Sequence, residues 1–432
     1  MEGEKFDAIV VGAGPAGLAA AYTMAKAGLE VVVLERGDFP GSKNVMGGVL
    51  YRQPTEEVFP DFWRTAPVER HVAQQSLWIL SKDSAFEVGH KNEAWCQEPY
   101  NAFTVLRARF DKWMGKTVTE AGAMIVPETL VEEVIRKDGR VVGVRTGRAD
   151  GDLYADVVIA ADGVNSLLAR KAGLHKEWTP HQVGLAVKEI IALPRERIQD
   201  RFHLEEDAGA TIELVGAATA GMMGTAFIYT NKDSLSVGVG VVVADLVEAK
   251  TNPNDLLESL KAHPAVHPLV EGGETREYLA HLIPEGGYRA VPQVFTDGML
   301  VVGDAAQLVN SYHREGSNLA MISGKLAGET VIEAKKRGDF SAATLSAYRR
   351  RLDDSFIMKD LKKYRNANDF FGRNPHFFRV YPDLLNMAAS EFLTVDGIPK
   401  RQKQWQIVRK ALRGRSIFGM IRDGIGAARR MI

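Results

Sequence analysis

The sequence predicts an α/β fold with a parallel nucleotide-binding sheet, an inserted antiparallel α+β domain and a helical C-terminal region. Two apolar runs of strand length, 6–11 and 30–34, flank an Ala-rich stretch with helical spacing, which is the pattern of a βαβ unit. Between 181 and 284, strand-like pieces are separated by the turn-forming string NKDS, which indicates a hairpin. Beyond about residue 346 the pattern is helical and polar, then basic.

The first βαβ unit carries the glycine spacing of a dinucleotide site. In FDAIVVGAGPAGLAAAYTMAKAGLEVVVLERG, glycines stand at 12, 14 and 17 between the strand and the helix. We expect Gly12 to permit the tight turn, Gly14 to let the backbone approach a pyrophosphate, and Gly17 to let the helix pack on the strand. The helix N-terminus, with Pro15 and Ala16, then faces the phosphates.

An acidic residue at the end of the second strand is expected to bind the adenosine half of the dinucleotide. Glu35 lies eighteen residues after Gly17, where a carboxylate accepts a hydrogen bond from the ribose. An acid there disfavours a 2′-phosphate and therefore NADP. Arg36, which follows it, belongs to the same predicted site. These residues fit NAD and FAD equally.

Two later segments favour FAD. VVIAADGVNSLLAR (157–170) is a strand that ends at Asp162-Gly163 and turns into a helix, and GMLVVGDAAQLVNSYHREGSNLAMISGKLAGE (298–329) is a strand followed by Gly303-Asp304, a loop and a helix. Either dipeptide alone is most often a turn. Together behind the glycine motif, they resemble the FAD fingerprints of the glutathione-reductase and hydroxylase-like flavoproteins. The resemblance implies an FAD-binding Rossmann domain of that type.

The same resemblance implies roles for individual residues. The Asp304 carboxylate is expected to bind the flavin ribityl chain, and the helix that begins near Gly316 to point its N-terminus at the flavin N1–C2 carbonyl. A positive helix end there stabilises an anionic reduced flavin. Arg107, in VLRARFDKWMGKTV, is expected to contact the flavin or its pyrophosphate, with a surface salt bridge as the alternative. Gly47 and Asn318 complete the predicted cofactor residues.

Composition excludes several kinds of site and partner. The 432 residues carry a net charge of −1, which gives no sign of nucleic-acid binding. Cys96 is the single cysteine, so this chain alone forms no disulfide, no Cys-based zinc site and no all-Cys iron–sulfur cluster. We predict no metal site. No signal peptide and no membrane-spanning run are evident, and a cytoplasmic protein is expected.

The C-terminal segment is basic and amphipathic. Residues 400–432 hold ten Lys or Arg and one acid, Asp423. If SIFGMIRDGIGAARRMI (416–432) is helical, its apolar residues share one face and its arginines the other, although three interior glycines disfavour a helix. Such a segment suits an anionic membrane leaflet or an acidic partner subunit. A solvated tail packed on its own chain is the alternative.

Six segments closely resemble the electron-transfer flavoprotein:quinone oxidoreductase family, and within it the FixC-type subunits. They are GSKNVMGGVLY (41–51), VGLAVKEIIALP (183–194), HPAVHPLVEGG (263–273), LIPEGGYRAVPQ (282–293), SNLAMISGKLAGE (317–329) and NPHFFRVYPDLLNMAASEFLTVDG (374–397). In this family, a protein-bound FAD takes electrons from an electron-transfer flavoprotein (ETF) and passes them to a membrane quinone. The resemblance therefore implies an enzyme peripheral on the inner face of the cell membrane.

The chain departs from the larger family members in lacking their Cys-ligated [4Fe–4S] domain. FixC-type subunits instead rely on a separate ferredoxin-like protein, so the resemblance implies a FixX-like partner as well as FixA/FixB-like ETF subunits. Such complexes can bifurcate electrons from NADH to ferredoxin and to quinone, with this chain on the quinone branch.

A quinone site needs an apolar slot and donors for the carbonyl oxygens that become negative on reduction. Gly224 aligns with a quinone-contacting glycine of the larger relatives, although Thr225 replaces the neighbouring glycine. His313 and Arg314 precede the flavin-facing helix and are offered as a source of protons or charge, or as an exposed loop pair. Gly286 and Gly287 are expected to face the flavin or the quinone, with an ordinary Gly-Gly turn as the alternative, and Tyr288 and Arg289 beside them add an aromatic ring and a cation.

Three other readings stay open. Prenyl (geranylgeranyl) reductases share this fold but carry a cysteine where this chain has Met46, which argues against prenyl reduction and leaves Met46 as a core residue. An aromatic hydroxylase shares the FAD fingerprints. A scaffold subunit that retains FAD structurally is the non-enzymatic alternative.

The predicted domain boundaries follow from these segments. Residues 1–180 and 285–345 form a discontinuous FAD-binding domain. Residues 181–284 form the quinone or substrate domain, and 346–432 a helical C-terminal region with the basic tail.

Overall fold

The structure is a computed structural model, and it describes residues 5–43 and 47–431. Within them the strands are β1 (Lys5–Val11), β2 (Val31–Leu34), β3 (Val49–Tyr51), β4 (Val68–Leu80), β5 (Ala85–Lys91), β6 (Ala102–Val105), β7 (Met124–Val126), β8 (Val131–Lys137), β9 (Arg140–Thr146), β10 (Asp152–Ala160), β11 (Val183–Ala192), β12 (Ala208–Gly216), β13 (Gly224–Thr230), β14 (Ser234–Val242), β15 (Glu274–Pro284), β16 (Phe295–Thr296) and β17 (Met299–Val301). The helices are α1 (Pro15–Lys26), α2 (Arg52–Glu56), α3 (Arg107–Glu120), α4 (Leu167–Lys171), α5 (Arg195–Phe202), α6 (Val243–Ala249), α7 (Pro253–Ala262), α8 (His267–Val270), α9 (Ser317–Arg337), α10 (Ala342–Asp354), α11 (Phe356–Lys363), α12 (Ala367–Gly372), α13 (His376–Arg379), α14 (Tyr381–Leu393), α15 (Lys400–Gly414) and α16 (Ile417–Met431).

The chain divides into two compact units. The parallel-sheet unit comprises Met1–Glu69, Asn101–Val183 and His281–Arg365. The antiparallel-sheet unit comprises Arg70–Tyr100, Gly184–Ala280 and Asn366–Ile432.

The central strand of the parallel-sheet unit is β1. It lies between β10 and β2, which both run parallel to it, and β17 and β7 extend the sheet in the same direction. Ala8, Ile9 and Val10 have no exposed surface, as expected for a strand covered on both faces. The α/β fold predicted from the first βαβ unit is therefore confirmed.

Helices α1 and α9 pack closely against each other. A Cβ on Gly324 in α9 would lie 2.0 Å from the Ala16 carbonyl oxygen, so only glycine fits. Gly303 stands where the first turns of the two helices meet, because its Cβ would lie 2.7 Å from Ala16 Cβ and 3.4 Å from Ala320 Cβ. The N-termini of α1 and α9 are consequently neighbours.

The antiparallel-sheet unit is built around the hairpin of β13 and β14, which the string NKDS predicts. β14 also pairs with β11, and β13 with β12, both antiparallel. β4 joins β12 in parallel, β5 pairs with β4, and β15 lies beside β11. Alternate residues of β14 (Val237, Val239 and Val241) pack in one core with Leu257 and Leu260 of α7.

The last five helices, α12 to α16, belong to this second unit. Asn386 in α14 is 6% exposed and donates its Nδ2 hydrogens to the carbonyl oxygens of Ile79 in β4 (2.8 Å) and Pro382 (2.9 Å). Its Oδ1 accepts from the Ser84 hydroxyl at 3.1 Å. These bonds tie the C-terminal helices to the β4–β5 pair.

This division differs from the predicted boundaries in two places. The prediction puts residues 70–100 in the FAD-binding domain, but β4 pairs with β12, β5 pairs with β4, and Arg70–Tyr100 belongs to the antiparallel-sheet unit. The helical region predicted over 346–432 is divided, since α10 and α11 belong to the parallel-sheet unit and Asn366–Ile432 to the other. The predicted insertion spans 181–284, and the antiparallel-sheet unit includes Gly184–Ala280.

Candidate cofactor site

The glycine loop makes a tight turn from β1 into α1. Gly12 has φ +104, and a Cβ there would lie 2.3 Å from the Ala161 carbonyl oxygen. A Cβ on Gly17 would lie 2.0 Å from the Gly12 oxygen, whereas a Cβ on Gly14 would meet nothing within 4 Å. Two glycines are therefore required by packing, and the third borders open space at the N-terminus of α1. Pro15 is the first residue of that helix, as expected.

Glu35 follows β2 and is bound to the glycine loop. Its Oε2 accepts a hydrogen bond from the Ala13 N–H at 2.8 Å, and its Oε1 accepts one from the Gly37 N–H at 2.7 Å. A carboxylate has about four acceptor positions, so two remain for ribose hydroxyls. Arg36, the next residue, is exposed.

Asp162 and Gly163 lie where β10 ends. Asp162 Oδ2 accepts from the Leu168 N–H at 2.9 Å, while its buried Oδ1 has no hydrogen-bond partner. Burial raises the pKa of Asp162 to about 6. Gly163 has φ +70, and a Cβ there would meet nothing within 4 Å. A buried carboxylate oxygen left without a donor fits a bound group that supplies one.

Asp304 sits in the turn Gly303–Ala306, directly after β17. The neighbouring Gly303 has φ +59 and packs on Ala16, so Asp304 lies close to the start of α1. Burial raises the pKa of Asp304 to about 6, although the Arg107 guanidinium acts in the opposite direction. The Asp304 turn and the start of α1 are thus neighbours.

Arg107 begins α3 and is 5% exposed, so the alternative of a surface salt bridge is wrong. Its guanidinium donates two hydrogen bonds of 2.7 Å to Asp111 and one of 3.1 Å to the Ser317 hydroxyl. A Cβ on Gly47 would lie 3.5 Å from Arg107 Nη1. Arg107 therefore joins α3 to the first residue of α9, beside Gly47.

Gly316 is the N-cap of α9, where the sequence predicts the helix to begin. Asn318, in the first turn, is 3% exposed and donates to Glu315 Oε1 at 3.3 Å. Glu315 in turn accepts from Asn310, and a bridge between residues 310 and 315 closes the loop that precedes the helix. The first turn of α9 is therefore held in place by side chains on both sides of Gly316.

Five of the quinone-site candidates lie in the parallel-sheet unit. Gly286 donates its N–H to Gln307 Oε1 at 3.1 Å, and Gly287 has φ +59. His313 is exposed, and its Nε2 lies 2.7 Å from the Tyr364 hydroxyl. Tyr288 and Arg289 continue the turn Gly287–Ala290, with Tyr288 half-buried and Arg289 exposed.

Gly224 belongs to the antiparallel-sheet unit. A Cβ on Gly224 would lie 2.2 Å from the Gly240 carbonyl oxygen, so the close approach of β14 already requires a glycine here. The Thr225 hydroxyl is 3.1 Å from the Ala226 carbonyl oxygen and 3.3 Å from Glu213 Oε2. The quinone-site candidates therefore divide between the two units.

Two titratable groups near the cofactor residues were missed by the sequence analysis. His281 is half-buried, and its pKa falls to about 4 through burial, with Arg107 and Arg36 adding to the effect. Glu285 has its pKa raised to about 7 by burial. Glu285 was visible as an acid directly before the Gly-Gly pair, whereas no local pattern marks His281.

The residues present fit a bound dinucleotide. An open helix N-terminus, a carboxylate with free acceptor positions and an unsatisfied buried Asp162 oxygen lie within one unit. Among residues 5–43 and 47–431, no group of three or more His, Cys, Asp or Glu side chains could hold a metal ion. Met46 stands where prenyl reductases carry a cysteine, and it lies outside the described residues.

Comparison with known families gives two matches. The profile described as "FAD dependent oxidoreductase" matches residues 7–189. The profile described as "ETF-QO/FixC family C-terminal domain" matches residues 367–432.

Similar proteins match the chain over nearly its whole length. Protein FixC of Azotobacter vinelandii is 48% identical over 421 residues, which cover 97% of this chain and 97% of that protein. The probable electron transfer flavoprotein-quinone oxidoreductase YdiS of Escherichia coli K12 is 41% identical over 434 residues, covering 99% of each. A geranylgeranyl bacteriochlorophyll reductase-like structure from Thermoplasma acidophilum shares the fold, with a TM-score of 0.73, 20% identity and coverage of 95% and 96%.

Proposed function

We propose that this chain, which belongs to the ETF-QO/FixC family of FAD-dependent oxidoreductases, transfers electrons from an ETF to a membrane quinone. The observation that carries the proposal is the 41% identity over 99% of both chains with a relative named as a probable ETF-quinone oxidoreductase. Identity at this level over nearly full length covers both units, including the C-terminal helices. The thermoplasmal reductase-like structure, at 20% identity, supports the fold alone.

Bound FAD supplies the one- and two-electron chemistry of the reaction. We assign its binding to the parallel-sheet unit. The N-terminus of α1 faces the pyrophosphate, Glu35 accepts from the adenosine ribose, and Asp304 accepts from the ribityl hydroxyls. Arg107 and the N-terminus of α9 bring positive charge to the flavin end, which favours electron uptake there. Arg36, Gly47, Asp162, Gly163 and Asn318 complete the proposed site.

We assign the quinone site to the parallel-sheet unit, where the candidates are Gly286, Gly287, Tyr288, Arg289 and His313. Gly224, in the antiparallel-sheet unit, stays a separate candidate. Backbone N–H groups at glycines and the Tyr288 hydroxyl are suitable donors to a quinone carbonyl oxygen. The flavin and the quinone carry the chemistry, so no nucleophile is needed.

The C-terminal helices support binding to a membrane surface. Helix α16 buries its acid and exposes its apolar side chains: Asp423 is 2% exposed and accepts from Tyr381 and Arg415, whereas Phe418 is 83% exposed. A helix in water normally has the opposite arrangement. The C-terminal apolar face, as we call it, consists of Phe392, Leu393, Val395, Trp405, Val408, Leu412, Ile417, Phe418, Ile421 and Ile425.

The charge on the same helices indicates which surface is bound. Residues 400–432 carry ten Lys or Arg and one acid, and that acid is buried. Apolar side chains surrounded by cations suit an anionic leaflet, so we propose a peripheral position on the inner face of the cell membrane. In the part of the chain that the structure describes, no helix is long and apolar enough to cross a membrane.

The proposed partners follow from the family and from the cysteine count. FixA/FixB-like ETF subunits deliver the electrons. Because Cys96 is the single cysteine, any iron–sulfur cluster must come from another chain, and we propose a FixX-like ferredoxin for that role. In such a complex this chain is the quinone branch of electron bifurcation.

The test uses the FAD-loaded chain with reduced ETF from the same host as donor and a short-chain quinone as acceptor. We expect quinol to form only when all three components are present. Rapid reduction of the flavin by NADH without ETF would overturn the proposal. NAD(P)H and oxygen consumption with a small aromatic substrate would indicate a hydroxylase, and an unchanged flavin spectrum with reduced ETF would indicate a scaffold subunit.

A further inference from the structure

Glu285 is a partly buried acid within the parallel-sheet unit, one residue beyond the end of β15. Its Oε2 accepts a hydrogen bond from the Ser311 hydroxyl at 2.7 Å, and its backbone N–H donates to the Gln182 carbonyl oxygen at 2.8 Å. The sequence separation of Glu285 and Ser311 is 26 residues. The carboxyl group is therefore fixed at a particular hydroxyl and does not swing freely in solvent.

The two segments that hold Glu285 also flank the cofactor residues. Gly286, the next residue, is bound to Gln307, which ends the turn that carries Asp304. Ser311 lies in the loop closed by the bridge between residues 310 and 315, directly before the N-terminus of α9. Glu285 is thus linked on one side to the Asp304 turn and on the other to the helix that faces the flavin end of the site.

The electrostatic setting of Glu285 suits a group that titrates. Burial raises its pKa to about 7, and the Ser311 hydrogen bond, which stabilises the carboxylate, opposes that rise. A carboxyl with such a pKa holds its proton more tightly at neutral pH when negative charge is added close to it. Titratable and charged groups lie on the segments around Glu285 and on α11, which packs against the turn that follows it: His181, His281, Arg289, Asp304, His313, Arg314, Glu315, Lys359, Asp360, Lys362 and Lys363.

We infer that Glu285 takes up one proton from solvent, through the Ser311 hydroxyl, when the bound FAD is reduced, and releases it on reoxidation. One carboxylate and one solvent proton give one carboxylic acid, and the electrons come from the reductant that reduces the cofactor. Added negative charge at the cofactor favours the protonated form. Ser311 is half-buried and within reach of water, so it connects the carboxyl to solvent. The inference rests on FAD binding alone, and neither ETF nor quinone enters it.

The test is the midpoint potential of the FAD-loaded protein as a function of pH, with dithionite and redox mediators. Below about pH 7 the carboxyl is protonated in both redox states. The midpoint potentials of the wild type and Glu285→Gln should therefore change with pH at the same slope there. From about pH 7 up to the higher pKa of this carboxyl in the reduced protein, the midpoint potential of the wild type should fall more steeply with pH by one proton per two electrons, about 30 mV for each tenfold change in proton concentration. Equal slopes over the whole range would overturn the inference.

Two further measurements separate proton uptake from a structural role. Ser311→Ala keeps the acid but removes the hydrogen bond that lowers its pKa, so the steeper region should begin at a higher pH. Glu285→Gln should also lose a protonated-carboxyl band from the infrared difference spectrum of reduced minus oxidised protein. The control is Glu333→Gln, an exposed acid of α9, which should keep both the band and the slope. If Glu285→Gln fails to bind FAD, Ser311→Ala decides alone. The inference would then be overturned if the slope of midpoint potential against pH became steeper at the same pH in Ser311→Ala as in the wild type.

Discussion

Arg107 and Asp111 form a buried, bidentate ion pair one helical turn apart in α3. Nε to Oδ1 and Nη2 to Oδ2 are both 2.7 Å, and the two side chains are 4% and 0% exposed. The same guanidinium reaches Ser317, the first residue of α9. The ion pair therefore orients the cation that the proposed site directs at the flavin.

Removing the acid of this pair should destabilise the fold. We expect Asp111→Asn to lower the free energy of unfolding by about 3–5 kcal/mol, because it leaves Arg107 charged and buried without its partner. Urea denaturation of the FAD-free protein measures the change. The matched control is Asp152→Asn, which breaks an exposed bidentate pair with Arg145 and should have no measurable effect. Equal effects of the two variants would contradict the role assigned to Asp111.

Two glycines of the loop should respond differently to alanine. Gly12→Ala places a Cβ against the Ala161 carbonyl oxygen at positive φ, so the FAD-free protein should lose about 2 kcal/mol or more. Gly14→Ala meets nothing in the protein, so its stability should be unchanged while its affinity for FAD falls at least tenfold. Denaturant unfolding and FAD titration of the apo-proteins separate the two effects. Tight FAD binding by Gly14→Ala would show that the pyrophosphate does not approach this residue.

The raised pKa of Asp304 makes a prediction for stability against pH. The folded pKa, about 6, exceeds the ordinary 3.8, so the folded state binds more protons between these values and stability falls as pH rises through them. Above about pH 6 the folded protein bears the full cost of burying the ionised Asp304 carboxylate. Asp304→Asn removes that cost and should stabilise the FAD-free protein there by about 1–3 kcal/mol. The gain should vanish near pH 4.

The same variant, Asp304→Asn, also tests the proposed role of this residue in FAD binding. The carboxylate at Asp304 is proposed to accept hydrogen bonds from the ribityl hydroxyls, so the stabilised Asp304→Asn variant should bind FAD more weakly. Thermal unfolding with and without FAD at neutral pH measures both effects on one sample. A variant that is more stable and also binds FAD as tightly as the wild type would remove Asp304 from the proposed site.

The C-terminal apolar face should govern binding to lipid. The double variant Phe418→Ser with Ile421→Ser should bind vesicles rich in anionic lipid at least tenfold more weakly than the wild type. The reason is that burial of each apolar side chain in the membrane contributes about 1.5–3 kcal/mol to the free energy of binding. Binding should weaken with salt because the cations contribute. Val247→Ser is the control, an equally exposed apolar residue on α6. If the wild type does not bind vesicles but the double variant loses a co-purifying partner subunit, the C-terminal apolar face binds protein instead of lipid.

Asn386 should hold the C-terminal helices to their sheet. Asn386→Leu loses the bonds to Ile79, Pro382 and Ser84, which should cost about 1–3 kcal/mol and speed proteolytic cleavage within α14 to α16. Asn374→Leu, which breaks one local bond to the Phe370 carbonyl oxygen, should have a smaller effect on the cleavage rate. Equal cleavage rates in both variants would contradict the role of Asn386.

Much of the cofactor site follows from local sequence. The glycine loop, Glu35, Asp162-Gly163 and Gly303-Asp304 each end a buried strand, and the carboxyl ends of parallel strands meet at one edge of a sheet. The start of α9 at Gly316 is also correct, because a helix boundary depends mainly on its own neighbouring residues.

Other features depended on residues far apart in the chain. The C-terminal tail is helical despite its glycines, since Asp423 is bound by Tyr381 and Arg415. The assignment of residues 70–100 to the second unit depends on the pairing of β4 with β12, more than a hundred residues later. Strand partners at such distances leave no signature in the strand's own periodicity.

The sequence by itself determined the nucleotide-binding fold and the family, because turns, strand ends and helix starts are encoded by neighbouring residues. Tertiary structure alone decided that Arg107 is buried and bound to Ser317, that Glu285 meets Ser311, and that α16 exposes its apolar side. The first two contacts join residues 210 and 26 positions apart along the chain. Which distant side chains meet depends on how whole elements pack, and no local spacing encodes that packing.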